Sequence, residues 1–369
     1  MIYWKGSLSH SRMEIKLIMK PSLKKLLNFA FLLFALGVVL YIGFNGNDLN
    51  ALLQALKTLS LPYLLLCLLS WLLYVLTDAL SVYYFLKHQG HPVTLGQSLH
   101  AAMTGIYYCN VTPGATGGQP MEMYVLRQYD IPIGVSGSAM AVKFLCFQFI
   151  LLLLGTGLWI FNRDFVALHT QGSVWFILLG YVVNFFSIGM VALMAVSQRA
   201  VRWVITKCIF LGTRLHLCKN PEASQARWEN HCQSFLYCFR LLVSSPKKLL
   251  TQCFIALAQI FALMLSIVAV YSAFGLNEAS FIQLITMGVL LYIGASYTPL
   301  PGASGAQEGG FAVLFSGIFP DAKLFVALLI WRFTTYYLSV IVGAILTTVT
   351  SIRGISADHT QEGVSNEQV

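Results

Sequence analysis

The chain has 369 residues, a mean hydropathy of +0.72 and only 10% charged residues. This composition excludes an ordinary soluble domain and a disordered chain, and it indicates a polytopic membrane protein. The formal net charge of +9 is spread over predicted loops rather than gathered in a compact basic domain, so we expect no nucleic-acid partner.

Apolar runs long enough to cross a membrane recur along the chain, since a helical span takes about 20 apolar residues. We predict an all-α polytopic membrane protein with six full spans and two re-entrant or broken helical hairpins. The six spans lie near 26–44, 61–86, 132–161, 173–197, 249–274 and 322–350. The two hairpins lie near 95–128 and 280–319, where Gly and Pro interrupt the apolar sequence.

Charged residues separate the membrane domain from its polar ends. We predict a cytoplasmic basic N-terminus at 1–25, a transmembrane domain at 26–352 and a disordered cytoplasmic tail at 353–369. Because Lys and Arg collect in cytoplasmic loops, the basic stretch at 198–248 is predicted to be cytoplasmic too. Its apolar residues recur near a helical period, which favours amphipathic helices on the membrane surface.

Two similar glycine-rich heptapeptides interrupt the two predicted hairpins. Residues 113–119 read PGATGGQ and residues 301–307 read PGASGAQ, so five of the seven positions are identical. Paired breaks in two related halves are typical of secondary-transporter sites, because broken backbone at membrane depth must be buried or line a cavity. Loop charges place the first hairpin at the cytoplasmic face and the second at the external face. The halves 61–161 and 249–350 are therefore predicted to form an inverted-topology repeat.

Two cations follow the two heptapeptides at nearly equal separations. Lys143 and Arg332 lie roughly 15–18 Å into their predicted spans at 1.5 Å per residue. Charges at this depth are costly and face a cavity or a partner. Two interpretations stay open: a ligand site, or internal ion pairs with Asp78, Glu122 or Glu308.

The breaks also have the chemistry of an anion site. Gly-rich turns expose backbone N–H groups, and the helices that follow present partial positive charge to an anion such as phosphate. The sequence predicts that a lipid phosphate is bound by Lys143, Arg332, Thr112, Gly114, Thr116, Gly117, Gln119, Gly302, Ser304, Gly305 and Gln307. The alternative is that Gly and Pro only bend helices and allow close packing. The acids Glu122, Glu308 and Asp78 are predicted to be counter-ions or proton-coupling groups.

Signals for catalysis are weak. The chain lacks a Gly-x-Ser-x-Gly elbow, a Walker loop and a His-Glu-x-x-His motif, and its Cys and His residues lack regular zinc-ligand spacing. We expect no catalytic residue, no cofactor and no metal. An intramembrane enzyme that acts on a lipid through His100, Glu122 or Asp78 stays open as an alternative.

The two breaks resemble those of a known family. Residues 112–120 and 298–310 are similar to the two glycine-rich signatures of the lysylphosphatidylglycerol synthase transmembrane-region family, and the resemblance extends from about residue 24 to 352. Members of this family are flippase-like and similar to the membrane half of bacterial phosphatidylglycerol lysyltransferase, the multiple peptide resistance factor.

The resemblance implies a multi-pass protein of a bacterial or archaeal inner membrane that moves an anionic or aminoacylated phospholipid, or a polyprenyl-phosphate lipid, between leaflets. A membrane subunit that supports a separate lipid-synthesis enzyme or a glycosyltransferase stays open as a second function, and so does a homo-oligomer. No soluble aminoacyltransferase domain follows residue 352, so we do not expect the lysyl-transfer reaction itself.

Overall fold

The computed structural model describes residues 49–170, 172–197, 233–241, 244–296 and 298–350, together with positions 37, 199, 203, 206 and 207. Across these residues the regular structure is helical, as predicted. The predicted span 26–44, the two chain ends and most of the basic 198–248 stretch lie outside the described residues.

Eleven helices are numbered in chain order. They are α1 (Leu49–Lys57), α2 (Leu61–His88), α3 (Leu95–Val111), α4 (Gly118–Gln128), α5 (Ile133–Phe161), α6 (Arg163–His169), α7 (Val174–Val196), α8 (Pro246–Ala273), α9 (Phe281–Ala295), α10 (Ala306–Leu314) and α11 (Asp321–Arg332). Residues 233–241 form a further helix, and α11 continues through a π-helical turn at Phe333–Tyr337 into a helical segment at 338–350.

Within the described residues, five helices are long and apolar enough to cross a membrane. They are α2, α5, α7, α8 and the continuous helix Lys323–Thr350 that includes most of α11, and the shortest apolar stretch has 21 residues. Each therefore exceeds the about 20 residues that a span requires. They correspond to five of the six predicted spans.

Both glycine-rich heptapeptides break their helices in the same way. A single 3₁₀ turn separates α3 from α4 at Pro113–Ala115, and another separates α9 from α10 at Pro301–Ala303. Gly114 and Gly302 both have a φ of +59°, a left-handed conformation that glycine adopts without the steric cost of a Cβ atom. The two breaks therefore begin with the same turn and then diverge, since Gly117 has a φ of −83° and Gly305 a φ of +87°.

The likeness between the two hairpins extends to their first residues. Thr94 and Gln97 form a capping box at the start of α3, and Ser280 and Gln283 form one at the start of α9. In each box the hydroxyl accepts a backbone N–H while the Gln side chain accepts the N–H of the cap residue, which satisfies two otherwise free helix donors. Each hairpin therefore has a defined start as well as a defined break.

The tips of the two hairpins meet inside the protein. The Gly114 N–H donates to the Pro299 carbonyl at 2.9 Å, and the Tyr336 hydroxyl donates to the Asn110 carbonyl at 3.4 Å. One apolar cluster lies around α8, α9, α10 and α11, and a second joins α2, α4, α5 and the 233–241 helix. The junction of the hairpins is where polar side chains accumulate.

Candidate functional site in the cavity between the hairpins

A cavity of about 350 Å³ lies where the two breaks meet. Helices α2, α3, α4, α5, α8, α9, α10 and α11 and both turns contribute to its lining. Part of the wall is apolar, and its charged lining residues are Asp78, Glu122, Lys143 and Arg332. The volume falls in the range of small-molecule pockets, which begins at about 300 Å³.

Lys143 lies between two carboxylates. Its Nζ on α5 donates to Oδ2 of Asp78 on α2 at 2.9 Å and to both carboxylate oxygens of Glu122 on α4 at 2.8 Å. The other oxygen of Asp78, Oδ1, accepts the Gln259 amide of α8 at 2.8 Å. An ammonium group has three N–H donors, so this arrangement uses all of them and connects four helices.

The side chains of this cluster are buried. Their exposed fractions are 14% for Lys143, 8% for Asp78 and 3% for Glu122. Buried ions of this kind are tolerated when they are paired and hydrogen-bonded. The Lys143 cluster therefore satisfies the internal-pair interpretation while also facing the cavity.

Close approach of α3 and α4 places the Glu122 carboxylate. A Cβ atom at Gly105 would lie 2.8 Å from Glu122 Oε2, and one at Gly118 would lie 2.0 Å from Cys109 Sγ. Small residues at a helix interface let two backbones approach, as is common in membranes. The roles of Gly105 and Gln259 were not predicted, and no sequence motif marks them.

Arg332 forms the second charged cluster. Its Nε lies 2.7 Å from Glu308 Oε1 in an ion pair whose N–H is not aligned for a hydrogen bond, and its Nη2 donates to the Gly302 carbonyl at 3.2 Å. The guanidinium lies 4.5 Å from the centre of the Tyr336 ring, which is a cation–π contact. Glu308 Oε2 also accepts the Gly305 N–H at 2.7 Å.

The π-helical turn Phe333–Tyr337 begins directly after Arg332. It presents Tyr336 to the second break, so closely that a Cβ atom at Gly302 would lie 2.0 Å from the ring. Single π turns inside α-helices are frequent at functional sites. Neither this turn nor the role of Tyr336 was predicted.

Six of the eleven predicted phosphate-site residues line the cavity. These are Lys143, Arg332, Gly114, Gln119, Gly302 and Gln307. Gln307 is 8% exposed, and its Oε1 is buried without a hydrogen-bond partner among the described residues. A buried amide oxygen of this kind is costly unless a ligand or water meets it.

The other five predicted residues, Thr112, Thr116, Gly117, Ser304 and Gly305, are not among the lining residues and have partners within the breaks. The Gly117 N–H donates to the Thr112 hydroxyl at 2.8 Å, and the hydroxyls of Thr116 and Ser304 donate to Pro113 and Pro301 carbonyls. Arg332 Nη2 reaches Ser304 Oγ at 3.5 Å. In this conformation the amides of Gly114, Gly117 and Gly305 hold the turns together.

A polar contact that was not predicted connects the cavity wall to α7. The amide of Asn184 donates to Ser296 Oγ at 2.6 Å and accepts from the Gln148 amide. Gln148 and Ser296 line the cavity, whereas Asn184 is 2% exposed. Inter-helix hydrogen bonds of this type hold membrane helices in register.

The residues considered for an intramembrane enzyme do not all lie together, since Asp78 and Glu122 line the cavity beside Lys143 whereas His100 does not. His100 is absent from the cavity lining, and its Nδ1 lies 2.8 Å from the Tyr129 hydroxyl. Within the described ranges, no three His, Cys, Asp or Glu side chains form a group able to hold a metal ion.

Taken together, the spans, the two broken hairpins and the polar cavity define a polytopic helical membrane protein. The family described as the lysylphosphatidylglycerol synthase TM region matches residues 27–343. The chain belongs to this family, as its two glycine-rich signatures indicated. It is also similar to a protein described as a UPF0104 membrane protein from Archaeoglobus fulgidus, with 22% identity over 300 residues that cover 75% of this chain and 86% of the relative.

Proposed function

We propose that this protein moves a phosphate-bearing membrane lipid between leaflets, with the lipid headgroup passing through the cavity between the hairpins. The observation that carries the proposal is that the two breaks meet around one cavity whose lining includes both buried cations, Lys143 and Arg332. The shared chemistry is the phosphate of an anionic or aminoacylated phospholipid or of a polyprenyl-phosphate lipid.

The size of the cavity supports a headgroup and not a whole lipid. Its volume of about 350 Å³ equals that of roughly a dozen water molecules at about 30 Å³ each. Acyl or prenyl chains would stay in the bilayer, beside apolar surfaces such as Phe185 and Phe186 on α7, which are 76% and 73% exposed. This division keeps only the polar part of the lipid inside the protein.

Arg332 is the first group expected to hold the phosphate. Its Nη1 has no hydrogen-bond partner among the described residues, whereas every N–H of Lys143 is used. A guanidinium binds phosphate oxygens through two parallel N–H groups. The Gln119 and Gln307 side chains line the same cavity and add amide donors for the remaining oxygens.

An inverted repeat in a cell membrane, with both chain ends cytoplasmic, is part of the proposal. Two hairpins that enter from opposite faces would meet at their tips near mid-depth, and the hydrogen bond between Gly114 and Pro299 supports this arrangement. The test is labelling of single cysteines at Gln128 and Glu278, both exposed and near hairpin ends, in a background without native cysteines. An impermeant maleimide should reach them from opposite sides, and access from one side would contradict the inverted arrangement.

Leaflet-resolved transport separates this function from its alternatives. The assay uses purified protein in phosphatidylcholine vesicles that contain fluorescent phosphatidylglycerol. The protein is expected to bring the fluorescent lipid of the inner leaflet within reach of an external quencher, and the lipid should stay chemically unchanged. An intramembrane enzyme would produce a new lipid species, and a subunit that supports another enzyme would do neither alone. Parallel vesicles with an aminoacylated phospholipid or a polyprenyl phosphate identify the lipid class. Rates equal to those of protein-free vesicles for all three would refute the proposal.

A matched pair of arginine substitutions tests the site. Arg332→Met should slow translocation by about tenfold or more, because a charge-assisted hydrogen bond contributes about 1.5–3 kcal/mol. Arg163→Met is the control, since Arg163 is 81% exposed beside Asp164, and its rate should match that of the wild type. Equal rates for a folded Arg332→Met variant and the wild type would remove Arg332 from the site.

A further inference from the structure

The charges of the two ion clusters beside the cavity do not balance. Asp78 and Glu122 line the cavity with Lys143 and Arg332, and Glu308 pairs with Arg332 from outside the lining. These three carboxylates and two cations carry one more negative than positive charge. An uncompensated charge in a low-dielectric interior is costly, and such a site usually takes up a proton or another cation. The arrangement of hydrogen bonds identifies where the extra charge lies.

Glu308 is compensated by its own half of the protein. It pairs with Arg332, whose guanidinium stays protonated, and accepts the Gly305 N–H at the start of α10. A carboxylate in the first turn of a helix is also stabilised by the helix dipole. The excess negative charge therefore lies in the Lys143 cluster, where one ammonium group faces two carboxylates.

Within that cluster Glu122 depends on Lys143 alone and is the more buried acid, with a side-chain exposure of 3% against 8% for Asp78. Asp78 has the Gln259 amide as a second donor, whereas both oxygens of Glu122 are bonded to the Lys143 ammonium. The other titratable groups that interact electrostatically with these acids are Tyr74 on α2, Cys109 on α3 and Tyr292 on α9. None of them brings a positive charge at neutral pH.

We propose that the Asp78–Lys143–Glu122 cluster binds one exchangeable proton, held on Glu122, and that this proton releases Lys143 to bind the lipid phosphate. The first part stands on the charge count and geometry, and the second part rests on the proposed function. A proton from water adds to one Glu122 oxygen, and Lys143 stays an ammonium. The N–H groups of Lys143 then break their hydrogen bonds to the neutral Glu122 side chain and donate to a phosphate oxygen instead. Proton and lipid would then bind together and cross together.

Infrared spectroscopy tests the proton without any substrate. The full chain in phosphatidylcholine vesicles is expected to show a carboxylic-acid C=O band that disappears as the pH rises. Glu122→Gln should lose the band and Glu308→Gln, the same substitution at the other ion pair, should keep it. In the wild type, the band should shift on ¹³C labelling of glutamate and not of aspartate, which keeps the test valid if Glu122→Gln does not fold. The proposal would be overturned if the wild type showed no band, which is also the result expected if a metal cation took the place of the proton. It would equally be overturned if the band were lost only in Glu308→Gln.

Transport under an imposed pH gradient tests the coupling. With one proton per lipid, the steady-state distribution of fluorescent phosphatidylglycerol between leaflets should change up to about tenfold per pH unit. The leaflet distribution that Glu122→Gln reaches should be independent of the gradient whatever its translocation rate, because Gln cannot exchange a proton. Wild-type translocation that ignores the gradient would overturn the coupling and leave the proposed function intact. A proton band without any lipid movement would refute the function and the coupling but not the proton site.

Discussion

Replacing Lys143 by Met is expected to destabilise the protein by about 3–5 kcal/mol, the usual cost of removing one partner from a buried ion pair. Met is a similarly long, unbranched side chain, so the packing around α5 changes little. The loss comprises three charge-assisted hydrogen bonds of 2.8–2.9 Å. At about 1.5–3 kcal/mol each their sum would exceed this range, but they share one ammonium group and are not additive. Asp78 and Glu122 would then face each other as buried acids.

The measurement is the free energy of unfolding of purified protein in mixed micelles, followed by circular dichroism. Adding Glu122→Gln to the Lys143→Met variant should recover at least about 1 kcal/mol, because it removes one unpaired carboxylate. Lys323→Met is the control. Lys323 lies near the start of α11 and makes a 3.4 Å hydrogen bond to the Phe274 carbonyl. Losing this hydrogen bond should cost no more than about 0.5–1 kcal/mol. A Lys143→Met cost equal to that of the control, or no recovery in the double variant, would refute the ion-cluster argument.

Two other substitutions test the packing that shapes the cavity. Gly302→Ala should lower the free energy of unfolding by more than about 2 kcal/mol, because it places a Cβ 2.0 Å from the Tyr336 ring at a φ of +59°. Gly309→Ala, in open space on α10, is the control and should raise it by up to about 1 kcal/mol. Similar values for the two variants would contradict the close-contact explanation. Asn184→Ala should cost about 0.6–1.7 kcal/mol because it removes inter-helix hydrogen bonds. Ser187→Ala is its control and should stay near zero, because the Ser187 hydroxyl donates to the Val183 carbonyl of the same helix. Both pairs are measured in the same unfolding assay, and an Asn184→Ala value equal to that of the Ser187 control would exclude a stabilising role for the contact.

The features that sequence predicted well are those that local chemistry determines. Gly114 and Gly302, at the same position of the two heptapeptides, share a φ of +59° that glycine adopts at little steric cost. Span positions follow from runs of apolar residues. The capping boxes at Thr94 and Ser280 were not predicted, although they too are local, with Thr or Ser followed by Gln three residues later.

The partners of the two cations could not be chosen in the same way. Sequence analysis named Asp78, Glu122 and Glu308 together as candidate counter-ions. The structure assigns two of them to Lys143 and one to Arg332, because α2 and α4 lie beside α5 while α10 lies beside α11. Contacts such as those of Gln259 and Gly105 join residues far apart in sequence, and no periodic pattern encodes them.

The sequence by itself determined that the chain is a helical membrane protein with two equivalent breaks and two deep cations, since hydropathy and glycine turns act over a few neighbouring residues. Only the tertiary structure decided that the breaks meet, that they border one cavity of about 350 Å³, and that Lys143 pairs with two acids while Arg332 pairs with one. The physical reason is that charge balance in a membrane interior depends on which helices pack together. Packing is settled by long-range contacts such as that between Gly114 and Pro299, which no single segment specifies.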